Sequence, residues 1–85
     1  MAQDDSIALA NERLAKQINQ EARKDPRSPY AGKLVCIANG KVAAVGDAWR
    51  EVMEKLRQVE PDPAKCYCIE ASADYERMEE ILRML

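Results

Sequence analysis

The sequence contains no histidine and no phenylalanine, and its three glycines stand far apart. Histidine is the most frequent general base in enzymes and a common metal ligand, so the usual sites built on it are excluded. Without histidine, none of the serines can belong to a serine–histidine nucleophilic pair. The spacing of the glycines does not fit a phosphate-binding loop. We therefore expect no catalytic residues, no enzyme activity and no cofactor.

The sequence also lacks long apolar runs and strongly basic segments. The longest apolar runs, such as residues 34–38, have the length of a strand and not of a membrane-spanning helix. Asp4 and Asp5 stand where a signal peptide would carry positive charge. The net charge is −2, and the basic and acidic residues are spread over the whole chain. We therefore expect neither a membrane nor nucleic acid as a partner.

Three cysteines are present, Cys36, Cys66 and Cys68. An odd number argues against the disulfide framework of a secreted protein and favours a cytoplasmic location. Cys66 and Cys68 would point to one face of a strand, and Cys36 would join them if its strand lay alongside. A structural zinc site usually has four ligands, so we predict core packing and no metal. The alternative is a thiolate metal-binding or redox protein that uses all three cysteines.

The first helix is predicted to end near Lys24, with apolar residues at three- and four-residue spacing. Pro26 and Pro29 then break the helical pattern. Within a single domain of residues 1–85, we therefore predict a separable unit of residues 1–28, a helix with a proline-containing connector. This helix is expected to dock on another subunit, which makes Ile7, Leu14 and Ile18 interface candidates.

A β-hairpin is the clearest local prediction. Two apolar segments flank Asn39-Gly40, a pair that favours a type I′ turn because both residues must adopt positive φ. That turn would pair Ile37 with Val42, Cys36 with Ala43, Val35 with Ala44, and Leu34 with Val45. Gly46 would then let the chain turn into a second helix that Asp47 caps. The apolar face of this helix is predicted to be Trp49, Val52, Met53 and Leu56.

Residues 66–69 are predicted to form a third strand, antiparallel to the first. A last helix, capped by Ser72, would carry Tyr75, Met78, Ile81, Leu82 and Leu85 on its apolar side. Residues 29–85 would therefore make a hairpin–helix–strand–helix core. The predicted fold class is α+β, in the order αββαβα, with a small three-stranded sheet.

Both faces of the predicted hairpin are apolar, whereas a sheet with one wet face alternates apolar and polar residues. The second helix can cover one face of the sheet. The first helix, the last helix or another chain would have to cover the other face. We therefore expect a homodimer or a protein partner, with the amphipathic Tyr30 and Tyr67 as further interface candidates. The predicted function is that of a protein-interaction or assembly module without catalytic activity.

A short motif links the hairpin to a known group of proteins. Tyr30, Gly32 and Lys33 precede the first strand, Gly40 lies in the turn, and Gly46 precedes the helix. This arrangement, over residues 30–69, resembles a family of short bacterial and archaeal proteins of unknown function. The resemblance implies a hairpin–helix–strand fold in which Gly32, Gly40 and Gly46 are turn positions. It implies no reaction.

Overall fold

The computed structural model describes residues 5–84, so residues 1–4 and Leu85 lie outside the described part. The elements are helix α1 (Asp5–Lys24), strands β1 (Leu34–Ala38) and β2 (Lys41–Gly46), helix α2 (Trp49–Val59), a 3-10 turn (Pro63–Lys65), strand β3 (Cys66–Glu70) and helix α3 (Tyr75–Met84). This order confirms the predicted α+β fold. Among residues 5–84, no helix combines the length and apolar character that crossing a membrane requires.

The three strands form one sheet in the order β2-β1-β3, and both pairings are antiparallel. The predicted position of the third strand beside the first is therefore confirmed. At the hairpin turn, Asn39 has a φ of 52° and Gly40 a φ of 77°. Both values are positive, as a type I′ turn requires. Gly32 also has a positive φ, of 73°, in the turn before β1.

The predicted hairpin register holds at the turn and fails beyond it. Ile37 pairs with Val42 as expected, but the register then shifts by one residue. Ala43 is the extra residue of this β-bulge, so three predicted pairs are wrong. The observed pairs there are Cys36–Ala44, Val35–Val45 and Leu34–Gly46. Because of the bulge, Ala43 and Ala44 both pack on the α2 side, and Val45 packs on the α1 side.

Helices of the same chain cover both faces of the sheet. Ala15, Ile18 and Ala22 of α1 pack on one face, where the core of buried residues also includes Val35, Ile37, Ile69 and Ala71. Val52 and Leu56 of α2 pack on the other face, against Cys36, Ala38 and Ala44. The first helix therefore covers the face that α2 leaves open, which was one of the three predicted possibilities. The sheet faces therefore give no reason for a second chain.

A buried asparagine holds α1 to the hairpin. The side chain of Asn11 is 1% exposed. Its Nδ2 donates to the carbonyl oxygen of Lys65 at 2.9 Å, and its Oδ1 accepts from the backbone N–H of Gly40 at 2.7 Å. The helix that we predicted as a separable docking unit therefore lies on the sheet of its own chain.

The start of α2 differs from the prediction. The N-cap is Ala48, without a side-chain capping bond, because the helix begins only at Trp49. Asp47, the predicted cap, instead accepts from the Lys33 Nζ at 2.7 Å. Trp49, predicted in the core, is 43% exposed. The helix packs through Val52 and Leu56, which are its buried residues.

The cap of α3 also differs from the prediction. The carboxylate of Asp74 accepts from the backbone N–H of Arg77 at 3.0 Å, which is the N-cap arrangement. The hydroxyl oxygen of Ser72, the predicted cap, instead accepts from the backbone N–H of Gly32 at 2.8 Å. This bond joins the turn before α3 to the turn before β1.

Candidate interaction surface and thiol face

Helix α3 exposes a row of large apolar side chains. Met78 is 48% exposed, Ile81 51%, Leu82 68% and Met84 85%. No residue of this helix is buried. We call these four residues the α3 apolar surface. An amphipathic helix ordinarily buries its apolar stripe, and neighbouring exposed apolar residues mark interaction sites more often than single ones do.

The first turn of α3 and the loop before it are fixed to α1 and to the sheet. Tyr75 packs against the α1-side core, and its hydroxyl accepts from the backbone N–H of Glu70 at 2.9 Å. Asn19 of α1 donates through Nδ2 to the carbonyl oxygens of Ala71 and Ala73, at 2.9 and 2.8 Å. The α3 apolar surface follows these anchors along the chain, and none of its four residues is buried.

A groove runs between α1 and α3 beside strand β3. Its volume is about 420 Å³, and its lining includes Ala15, Asn19, Tyr67, Ile69, Met78 and Leu82. Met78 and Leu82 therefore form one wall of the groove and also belong to the α3 apolar surface. The groove continues that surface towards the sheet and enlarges the apolar area that a partner would contact.

The outer edge of β3 borders the same groove, and no strand of residues 5–84 pairs with it. The backbone N–H and C=O groups of successive residues point alternately to the two edges of a strand. Residues 67 and 69 bond to β1. The backbone groups of Cys66, Cys68 and Glu70 therefore point to the unpaired edge. The N–H of Cys66 donates to the carbonyl oxygen of Pro63, and the N–H of Glu70 donates to Tyr75. Both ends of the edge are therefore blocked, and the backbone of Cys68 lies between them.

The predicted interface residues lie in different environments. Ile18 is 3% exposed and belongs to the chain's own core. Leu14 and Tyr30 are half-buried and pack against the same core, and Ile7 is half-buried on α1. Tyr67 is 44% exposed and lines the groove. Of these five candidates, Tyr67 is the one that lines the groove between α1 and α3.

The residues of the α3 apolar surface were not among the predicted interface residues. Met78, Ile81 and Leu82 were predicted on the apolar side of the last helix, which was one of the possible covers of the sheet. The signal that distinguishes the two roles is spatial. The two faces of the sheet already have α1 and α2 on them, so the third helix has no face left to cover.

The three cysteines share the α2 side of the sheet, as expected for a third strand beside the first. Cys36 lies directly opposite Cys68, and Cys66 lies opposite Ala38. Cys36 is completely buried, whereas Cys66 and Cys68 are half-buried. Within residues 5–84, no group of three or more cysteine and acidic side chains is placed to hold a metal ion. The shared face therefore gives no support to the metal-binding alternative.

The surroundings of Cys36 and Cys66 favour the protonated form of these two thiols. The pKa of Cys36 is raised to about 12, chiefly by burial and in smaller part by the neighbouring Cys68 thiol. Burial also raises the pKa of Cys66, and Cys68 and Glu60 add to that rise because negative charge nearby disfavours a thiolate. Neutral thiols are poor nucleophiles and poor metal ligands. Cys36 and Cys66 are therefore mostly protonated at neutral pH, which slows their reactions without preventing them.

A second groove, of about 350 Å³, gives access to this thiol face. Met53, Leu56, Pro61, Pro63, Cys66 and Cys68 are among the residues that line it. The Cys66 sulfur lies 3.4 Å from the carbonyl oxygen of Asp62, within reach of a weak S–H hydrogen bond. A small molecule in the groove would meet Cys66 and Cys68, and Cys36 lies behind them.

No protein-family model, no curated protein and no solved structure matches this chain. The similarity of residues 30–69 to a family of unknown function therefore stays a prediction, and the function has to be inferred from the two surfaces described above.

Proposed function

We propose that this chain is a protein-interaction or assembly module without catalytic activity, and that its partner binds the α3 apolar surface. The observation that supports this most strongly is the exposure of Met78, Ile81, Leu82 and Met84 on one helix. Completely burying one such side chain contributes about 1.5–3 kcal/mol. Burying several of them would give a substantial favourable free energy of association.

We propose a second copy of the chain as the partner. Most soluble oligomers are homo-oligomers, and the two-fold dimer is the commonest form. In such a dimer the same surface of each chain meets its counterpart, so every contact occurs twice. The free thiols further support a proposed cytoplasmic location, where cysteines stay reduced.

The test is a lysine substitution on the α3 apolar surface. Leu82→Lys places a charge at a position that is 68% exposed, so the fold of the single chain should not change. Because the substitution counts twice in a two-fold dimer, we expect the dissociation constant from sedimentation equilibrium to rise about 100-fold. Leu9→Lys is the matched control, since Leu9 is 50% exposed on α1 and lies outside the α1–α3 groove.

The two variants separate the surface from a general effect of charge. A dimer that Leu82→Lys dissociates and Leu9→Lys leaves intact supports the proposed surface. Equal effects of the two substitutions would overturn the assignment to α3. A wild-type chain that is monomeric at every concentration would overturn the second copy as the partner.

A further inference from the structure

Cys36 and Cys68 occupy a special position in the β1–β3 ladder. The backbone N–H of Asn39 donates to Lys65, and the N–H of Ala71 donates to Lys33, in the same register. The hydrogen-bonded pairs therefore fall on odd-numbered residues, and Cys36–Cys68 is a non-hydrogen-bonded pair. In such pairs the two Cα atoms are only about 4.5 Å apart and the side chains approach most closely.

This Cα–Cα spacing lies within the range that a disulfide can bridge, at its lower end. Disulfide-linked cysteines have Cα atoms about 4.4–6.8 Å apart and Cβ atoms about 3.5–4.5 Å apart. The Cys68 thiol is also near enough to contribute to the raised pKa of Cys36. A disulfide between Cys66 and Cys68 fits less well, because residues two apart on one strand have Cα atoms about 6.7 Å apart, near the upper limit for a disulfide. The partner of Cys66 across the ladder is Ala38, which has no sulfur.

We propose that Cys36 and Cys68 form a reversible cross-strand disulfide by exchange with a low-molecular-weight disulfide such as oxidised glutathione. Cys68 is the entry point, because it lines the groove on the thiol face while Cys36 is completely buried. The bond does not depend on the proposed interaction of α3, since it joins two strands of one chain.

The reaction proceeds in two exchange steps. The Cys68 thiolate, after losing its proton to solvent, attacks one sulfur of oxidised glutathione, and the S–S bond breaks to release a glutathione thiolate. The Cys36 thiolate then attacks the Cys68 sulfur and displaces the second glutathione. The two protons lost by the protein are taken up by the two released thiolates. The protein loses two electrons, and one oxidised glutathione becomes two reduced molecules.

The proposed disulfide would link the edge strand β3 to the central strand β1. It closes a loop that contains β2 and α2, so it restricts the unfolded chain and should raise the melting temperature. It would also fix the strand whose end is bonded to Tyr75 at the start of α3. Cytoplasmic disulfides are usually transient and redox-sensing, so we expect the reduced form to be restored by excess glutathione.

The test is disulfide mapping of the full chain after incubation with oxidised glutathione. Trypsin cleaves after Lys33, Lys41, Lys65 and Arg77, which places Cys36 in one peptide and both other cysteines in another. The Cys66→Ser variant removes this ambiguity, and Cys68→Ser is its matched control. Free thiols are blocked under denaturing conditions before digestion, and circular dichroism checks that each variant is folded.

We expect the folded Cys66→Ser variant to lose two hydrogens in mass, to yield the crosslinked peptide and to return to the dithiol with reduced glutathione. We expect no internal crosslink in Cys68→Ser. Two free thiols in Cys66→Ser after incubation, a glutathione adduct that never closes, or an equal crosslink in Cys68→Ser would each overturn the proposal. If Cys66→Ser is unfolded, fragmentation of the wild-type crosslinked peptide decides between Cys66 and Cys68.

Discussion

Gly46 shows how a single residue sets the distance between β2 and α2. A Cβ atom at this position would lie 2.8 Å from the Cγ1 atom of Val52, closer than real Cβ contacts come. Gly46→Ala should therefore lower the free energy of unfolding by about 1–3 kcal/mol, the usual cost of overpacking. Urea denaturation measures this change.

A second variant shows whether Val52 is the cause. Val52→Ala removes the atom that a Cβ at Gly46 would meet. In that background, Gly46→Ala should cost much less, because residues in contact have non-additive effects on stability. An equal cost in both backgrounds would mean that the close approach is not what requires glycine.

The buried thiol of Cys36 should make the free energy of unfolding depend on pH in the alkaline range. Its pKa is raised from about 9 to about 12 in the folded chain, chiefly by burial. Between these values the folded state binds more protons than the unfolded state, so the free energy of unfolding should fall as the pH rises above about 9. Below about pH 9 the contribution of Cys36 should be constant.

The matched control for this effect is Cys36→Val, which keeps an apolar side chain and removes the ionisable thiol. All other ionisable side chains are the same in the two proteins, so the quantity to compare is the difference between the slopes of their stability against pH. Denaturation series under reducing conditions should show a steeper alkaline loss of stability for the wild type. Parallel curves would contradict the raised pKa.

At the scale of elements, the sequence predicted the helices and strands correctly because their signals are local. Apolar spacing marks a helix or a strand, and Asn39-Gly40 specifies the turn whatever surrounds it. The bulge at Ala43 has no such local signal, because alanine suits either face. The caps were wrong at Asp47 and Ser72 because tertiary partners, Lys33 and Gly32, bind those side chains instead.

Asn11 is the element-scale contact that the apolar pattern of α1 does not reveal. Asn11→Leu keeps the branching and the number of side-chain heavy atoms but leaves the carbonyl of Lys65 and the N–H of Gly40 without this hydrogen-bond partner. We expect a loss of about 1–3 kcal/mol in the free energy of unfolding, which is the cost of unsatisfied buried polar groups. Gln20→Leu, at an exposed position of the same helix, should change stability by less than about 0.5 kcal/mol.

Helix α1 supplies three buried residues of the core on its side of the sheet, Ala15, Ile18 and Ala22. Deleting residues 1–28 would expose Val35 and Ile37 to water, so the remaining chain should lose its cooperative thermal unfolding transition. Circular dichroism during heating measures this loss. A sharp transition at the wild-type temperature would show that the first helix is separable after all.

At the scale of the whole molecule, three helices share a sheet that has two faces. Helices α1 and α2 occupy the two faces, so the apolar side of α3 stays exposed. The sequence identified that apolar side but could not tell which helix would be left over, because this depends on how all the elements pack together. For the same reason, Ile18 was predicted at an interface and lies in the core.

The proposed interaction through α3 is tested most directly by native mass spectrometry of the wild-type chain and of Leu82→Lys. Reducing conditions are required, so that no disulfide can link two chains. We predict a dimer for the wild type, whose population falls on dilution, and a monomer for Leu82→Lys under the same conditions. A monomeric wild type, or a dimer that persists unchanged in Leu82→Lys, would contradict the proposal that the α3 apolar surface joins two copies of this chain.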